Sequence, residues 1–144
     1  GISTPVFAEE YEPAGYHVYD VQEEEATDTW YGVARGDYLQ AGIAKVKKGT
    51  QSGYARASGS TLAHFACDRL YVRIYLDESA NGTDGWGTLN YWTANAYNKS
   101  MVTVSSGDYK ITKGDYYSVK GAHSVFQDDI IETTTTCTDA IPIN

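Results

Sequence analysis

The sequence predicts an all-β chain, a single antiparallel β-sandwich of about seven or eight strands preceded by an extended acidic segment, and three observations carry this. The stretch Asp68-Leu70-Val72-Ile74-Leu76, interleaved with Tyr71, Arg73 and Tyr75, alternates with period two over nine residues, which gives one aliphatic and one Tyr/Arg face. Composition leans the same way, with 13 Tyr and 14 Gly among 144 residues, many Thr and a single Met. Turn signals recur at strand spacing, and no stretch combines a 3.6-residue period with helix caps.

The elements follow in order. Residues 1–29 read as an acidic arm or tether, with Pro5, Pro13 and the triplet Glu23-Glu24-Glu25. Like charges extend such a segment, although Tyr16 to Val21 is apolar enough to pair as a strand. The β domain then occupies residues 30–144. Strands fit at about Tyr38–Lys48 and Gly53–Phe65, before the clear one ending at Leu76. Asn81-Gly82 and Asp84-Gly85 mark a turn. Strands at Trp86–Tyr97 and Ser100–Ser106 follow, then a turn at Ser106-Gly107-Asp108. Tyr109–Thr112 and Lys113-Gly114-Asp115 lead into Tyr116–Ala122. A turn at Asp128-Asp129 precedes the Thr-rich strand Glu132–Ile141. In Gly114-Asp115-Tyr116-Tyr117-Ser118-Val119, Tyr117 is placed to form a tyrosine corner, or else is an ordinary strand tyrosine.

Charge narrows the functional classes. The formal net charge is −8, and residues 1–34 hold eight carboxylates with no Lys or Arg, while residues 35–144 hold 11 acidic and 11 basic side chains. Nucleic acid is thereby disfavoured, because phosphate binding needs a basic face. No apolar run approaches the roughly 18 residues of a membrane helix, so no membrane insertion is expected. A secreted or cell-surface location is expected, with any export signal removed before Gly1.

Two cysteines, Cys67 and Cys137, are too few for a metal framework. They read either as one disulfide of an exported protein or as two reduced thiols, and the exported composition favours the disulfide. Such a bridge would close a loop of about 70 residues, nominally worth about 4 kcal/mol. Strand parity places Cys67 on the Tyr/Arg face unless a bulge at Ala66 resets the phase.

Three sequence blocks, Ala34-Arg35-Gly36-Asp37-Tyr38-Leu39, Ser60 through Leu76 and Gly114 through Ser124, with the ending Thr138-Asp139-Ala140-Ile141, carry a resemblance. Over about residues 34–144 the chain resembles a family of small exported proteins of Gram-positive (Firmicute) gut bacteria, catalogued as of unknown function. The resemblance implies export and one compact all-β domain, and it brings no catalytic or ligand residues.

No nucleophile motif is present, and a Cys67–His64 dyad fails because three strand residues set them on opposite faces about 10 Å apart. Oxygen-rich turns at Asp77, Glu78, Asn81 and Asp84 or at Asp128, Asp129 and Glu132 would suit Ca²⁺ chemically, but lack EF-hand spacing and serve equally as turn formers. No metal or cofactor is expected. The aromatic residues are the better lead: Trp86, Tyr91 and Trp92, with Tyr97 nearby, form either a ligand-stacking platform or core filling, Trp86 and Trp92 sharing parity. Tyr71 and Tyr75 with Arg69 and Arg73 form a second stripe. The expected function is therefore an exported, non-enzymatic binding or interaction module for a glycan or extracellular protein. The alternatives are a carbohydrate-binding module on that platform and a small hydrolase with His64 or His123 as base.

Overall fold

The computed structural model describes residues 14–33 and 38–144. The Pro5, Pro13, Glu9, Glu10 and Glu12 portion of the expected arm lies outside the described residues, as does Ala34–Asp37. Nine strands follow in chain order: β1 (Gly15–Val21), β2 (Glu25–Gly32), β3 (Leu39–Lys48), β4 (Tyr54–Ser79), β5 (Gly87–Ser105), β6 (Tyr109–Lys110), β7 (Tyr116–Gln127), β8 (Ile130–Cys137) and β9 (Ile141–Pro142). All pairings are antiparallel, and no helix among the described residues is long and apolar enough to cross a membrane.

Hydrogen bonding is continuous through one sheet, ordered β1-β2-β3-β4-β7-β8, with β5 and β6 paired to β4 and β9 to β7. The expected sandwich of seven or eight strands is thus one curled, half-barrel sheet of nine. The cause is β4, which merges two expected strands into 26 residues. Ala63–Cys67 has no Gly or Pro to end a strand, so the chain bends through a register shift between Leu62 and Cys67 instead. Asn98, at a φ of 55°, takes up the same kink on β5, which likewise merges two expected strands. On one edge of β4, β3 covers the first half and β7 the second, while β5 runs along the other edge.

The bend turns two walls toward each other. Ala55, Ala57, Gly59, Thr61 and Ala63 face inward before it, and Leu70, Val72, Ile74 and Leu76 after it. Gly59 is needed for their approach: a Cβ there would stand 2.5 Å from Ile74 Cγ2. Cys67 is buried at the bend, contrary to the outward placement that unbroken parity gives.

The interior also holds polar groups, several of them hydrogen-bonded to one another or to the backbone. The Glu132 carboxylate accepts the N–H groups of Tyr38 and Leu39 at 2.8 and 2.7 Å, tying β8 to the start of β3. Fully buried His123 sits against Gly42 and Gly121, where a side chain would collide with its ring. Thr61 donates its one hydroxyl hydrogen to the Tyr71 carbonyl (2.8 Å), so it accepts from His123 Nδ1–H (3.1 Å). His123 Nε2 then accepts from the Thr136 hydroxyl at 2.7 Å. Burial pulls the His123 pKa down to about 4, so the ring is neutral near pH 7.

The boundary expected at residue 29/30 falls inside β2, and both β1 (Gly15–Val21) and β2 (Glu25–Gly32) are strands of the sheet. Ala26, Asp28 and Trp30 point inward from β2. Tyr117 is a tyrosine corner: its buried hydroxyl accepts the Thr112 N–H at 3.0 Å and lies 2.6 Å from both the Thr112 carbonyl and the Glu78 carboxylate.

Candidate functional site

The alternation that buries Leu70 to Leu76 must present Arg69, Tyr71, Arg73 and Tyr75 on the other side of β4. Strand register extends this row both ways. Across β5 stand Tyr97, Asn95, Thr93 and Tyr91, and across β7 stand Phe126, Ser124, Ala122 and Lys120, each opposite its β4 partner in that order. Twelve side chains thus make a three-strand lattice of rings, cations, amides and hydroxyls, with no Leu, Ile, Val or Met.

The lattice is internally ordered. Arg73 Nε–H donates to the Tyr71 hydroxyl at 2.9 Å, and its Nη1–H reaches the Tyr75 hydroxyl at 3.4 Å. The same guanidinium carbon lies 5.1 Å from the Tyr91 ring centre, and Tyr75 and Tyr91 are 6.1 Å apart. Arg69 stands 4.5 Å over Phe126 and donates to Asn95 Oδ1 at 2.8 Å. Lys120 lies 5.5 Å over Tyr75 while pairing with Asp77 at 3.1 Å. Hydrogen bonds to Tyr75 and Tyr71 raise the Arg73 pKa above its ordinary value. Among the described residues, neither Arg69 nor Arg73 forms an ion pair with a carboxylate.

At Tyr75 and Lys120 the lattice runs into a groove of about 770 Å³, whose opposite wall is His17, Tyr19 and Asp28. His17 Nδ1 lies 2.9 Å from both carboxylate oxygens of Asp28, and Asp28 Oδ2 also accepts the Cys137 N–H at 2.9 Å. This buried carboxylate fastens β2 to the end of β8 and shapes the groove.

The expected platform is divided by the fold. Tyr91 and Tyr97 are 55% and 61% exposed and belong to the lattice. Trp92 is on the opposite face, edge-on to Tyr109 at 5.3 Å and packed against the core. Trp86 is exposed but precedes β5, and a register shift between Leu76 and Asp77 breaks the parity assumed to link it to Trp92. The Tyr71/Tyr75 stripe, set second in the sequence, is what joins Tyr91 and Tyr97.

The disulfide expectation is overturned: both cysteines are free, Cys67 buried and Cys137 exposed. Cys137 pairs through Lys120 with Tyr75, eight residues along β4 from Cys67. That offset is roughly 26 Å of extended strand, far beyond a disulfide's reach of about 6 Å between Cα atoms. The acidic turn groups have local partners. Asp77 holds Lys120 and Thr88, Glu78 holds Tyr117, and Asn81 Oδ1 accepts the Thr83 and Asp84 N–H groups. Among the described residues no three His, Cys, Asp or Glu side chains converge as metal donors. His123 is enclosed between threonines, and neither it nor His64 bonds a carboxylate among the described residues. The histidine that does so, His17, lay in the stretch read as a tether.

Fold and face together define a curled antiparallel β domain carrying an ordered aromatic–cationic surface. The chain belongs to the family of unknown function DUF6147, whose model matches residues 6–141. That match begins within the acidic segment, which the resemblance over residues 34–144 left outside. No curated protein and no solved structure matches the chain.

Proposed function

We propose that this protein is a non-enzymatic binding module that works outside the cell and takes its ligand on the outer face of β4, β5 and β7. The supporting observation is the lattice itself. Rings and guanidiniums are held in place by neighbours on rigid strands, so little side-chain freedom remains to be lost on binding. Nothing in the inner packing requires this composition, since a solvated outer face is adequately served by Thr, Lys and Glu. Composition and the family resemblance support export, to which the two free thiols no longer contribute.

Carbohydrate is the second reading within this class. It is favoured by the interleaving of exposed rings with Thr93, Asn95 and Ser124, which supply hydroxyl and amide partners. The platform becomes Tyr71, Tyr75, Tyr91 and Tyr97. To test the module, the wild type and a Tyr91→Ala/Tyr97→Ala variant are applied to arrays of glycans and extracellular proteins. Signals above background should vanish in the variant. Signals that persist undiminished would remove this face from consideration.

A further inference from the structure

We propose that the ligand of this face is an acidic carbohydrate, a polymer containing uronic-acid sugars read by stacking on the tyrosines and by carboxylate pairing to Arg69 and Arg73. The inference rests on the binding-module reading and adds the ligand's class.

Charge on the face is the first argument. The chain has a net charge of −8, yet this surface carries three cations, and among the described residues only Lys120 has a carboxylate partner, Asp77. The guanidiniums of Arg69 and Arg73 spend their Nε–H donors on Asn95 and Tyr71. Each retains further N–H groups in the planar fork that matches a carboxylate. A cation anchored on neutral partners keeps its full charge for an incoming anion, whereas an internal carboxylate would cancel it.

Spacing is the second. Along β4 the order is cation, ring, cation, ring: Arg69, Tyr71, Arg73, Tyr75. Four strand residues separate the two arginines, roughly 13 Å between Cα atoms, and both guanidinium carbons lean toward the Tyr71 ring between them, 5.8 and 5.9 Å from its centre. The complementary ligand alternates anionic points with flat, partly apolar faces. A pyranose ring offers such a face in its axial C–H bonds, and a uronic acid adds one carboxylate per sugar at its edge. Duplex nucleic acid is a denser polyanion, with one charge per roughly 1.7 Å of its axis.

The third is shape. The face is open, and at Tyr75 and Lys120 it continues into the groove walled by His17 and Tyr19. A surface that passes from a lattice into a groove suits a chain lying across it.

The experiment is affinity electrophoresis and titration calorimetry on the full chain at low salt, with polygalacturonate, alginate and hyaluronate as probes. Methyl-esterified polygalacturonate, a neutral galactan, dextran sulfate and a single-stranded oligonucleotide are the comparators. At least one uronate polymer should bind, and esterification or raised salt should weaken binding. Arg69→Gln or Arg73→Gln should each weaken it roughly ten-fold or more while leaving the thermal midpoint nearly unchanged. Binding of neutral galactan as tight as that of the uronates, unaltered in the Arg variants, would overturn the acidic class and leave the face as a glycan site. Equal binding of dextran sulfate or oligonucleotide would overturn it in favour of bare polyanion attraction. Failure of all three uronates, with a Tyr91/Tyr97-dependent protein signal on the arrays, would overturn the inference and leave the module standing. Array signals insensitive to Tyr91 and Tyr97 would remove the module as well.

Discussion

The two sides of β4 after its bend are made by one run of eight residues, Arg69–Leu76, and have opposite chemistry. Inward, Leu70, Val72, Ile74 and Leu76 are fully buried. Outward, Arg69, Tyr71, Arg73 and Tyr75 hold one another by hydrogen bonds and cation–π contacts. One side stabilises the fold, and the other is arranged on it. The period of two lets each change without the other, so stability and recognition should be separable by mutation.

The comparison is sharpened most by emptying the inner side. Ile74→Ala should cost about 2–5 kcal/mol in denaturant unfolding, because opposing Gly59 has no side chain with which to fill the space. A loss below about 1 kcal/mol would mean that the walls are not in contact there. Next comes the buried imidazole. His123 is neutral when folded, with a pKa of about 4, and takes up a proton in the unfolded chain below about 6.5. Its stabilisation is therefore complete above pH 6.5 and decreases as the pH falls toward 4, by up to about 3 kcal/mol. His123→Gln should flatten that part of the stability profile relative to the wild type. Identical slopes would show a solvated ring.

Smaller effects probe the outer side. Without denaturant an aromatic disulfide reagent should modify Cys137 quickly and Cys67 only after unfolding, because burial also raises the Cys67 thiol pKa. Two equally fast thiols would show that the bend is open. Smallest of all, Arg73→Gln should change unfolding free energy by less than about 1 kcal/mol, the scale of exposed cation–π and hydroxyl contacts. A loss of 3 kcal/mol would make the outer lattice part of the fold.

The second half of β4, the strand at Tyr116 and the Tyr117 corner were legible because local alternation and turn chemistry suffice to specify them. The stripe of Arg69, Tyr71, Arg73 and Tyr75 was legible as well, but its union with Tyr91 and Tyr97 depends on register across strands, which no local pattern contains. Cys67 was misplaced because parity was carried up to the irregular register at Leu62/Cys67, and the shift at Leu76/Asp77 separated Trp86 from Trp92, which packs against the core as one of its two readings had it. Asp28 was hidden differently. Within a run of carboxylates it counts as charge and suggests extension, whereas in the fold it is a buried acceptor for His17 and the Cys137 N–H, 109 residues away.

The 26-residue strand has a consequence for cooperativity. Both walls of the curl are paired to one unbroken backbone, so neither can open without disturbing the ladder that supports the other. Amides of β3 and β7 should therefore exchange with deuterium at a common, slow rate set by global unfolding, as one foldon. The free edges at β1 and β5 would form a faster class. If the lattice on β4 is where a ligand sits, bound ligand should slow exchange on both walls together, including amides of β3 that it never touches.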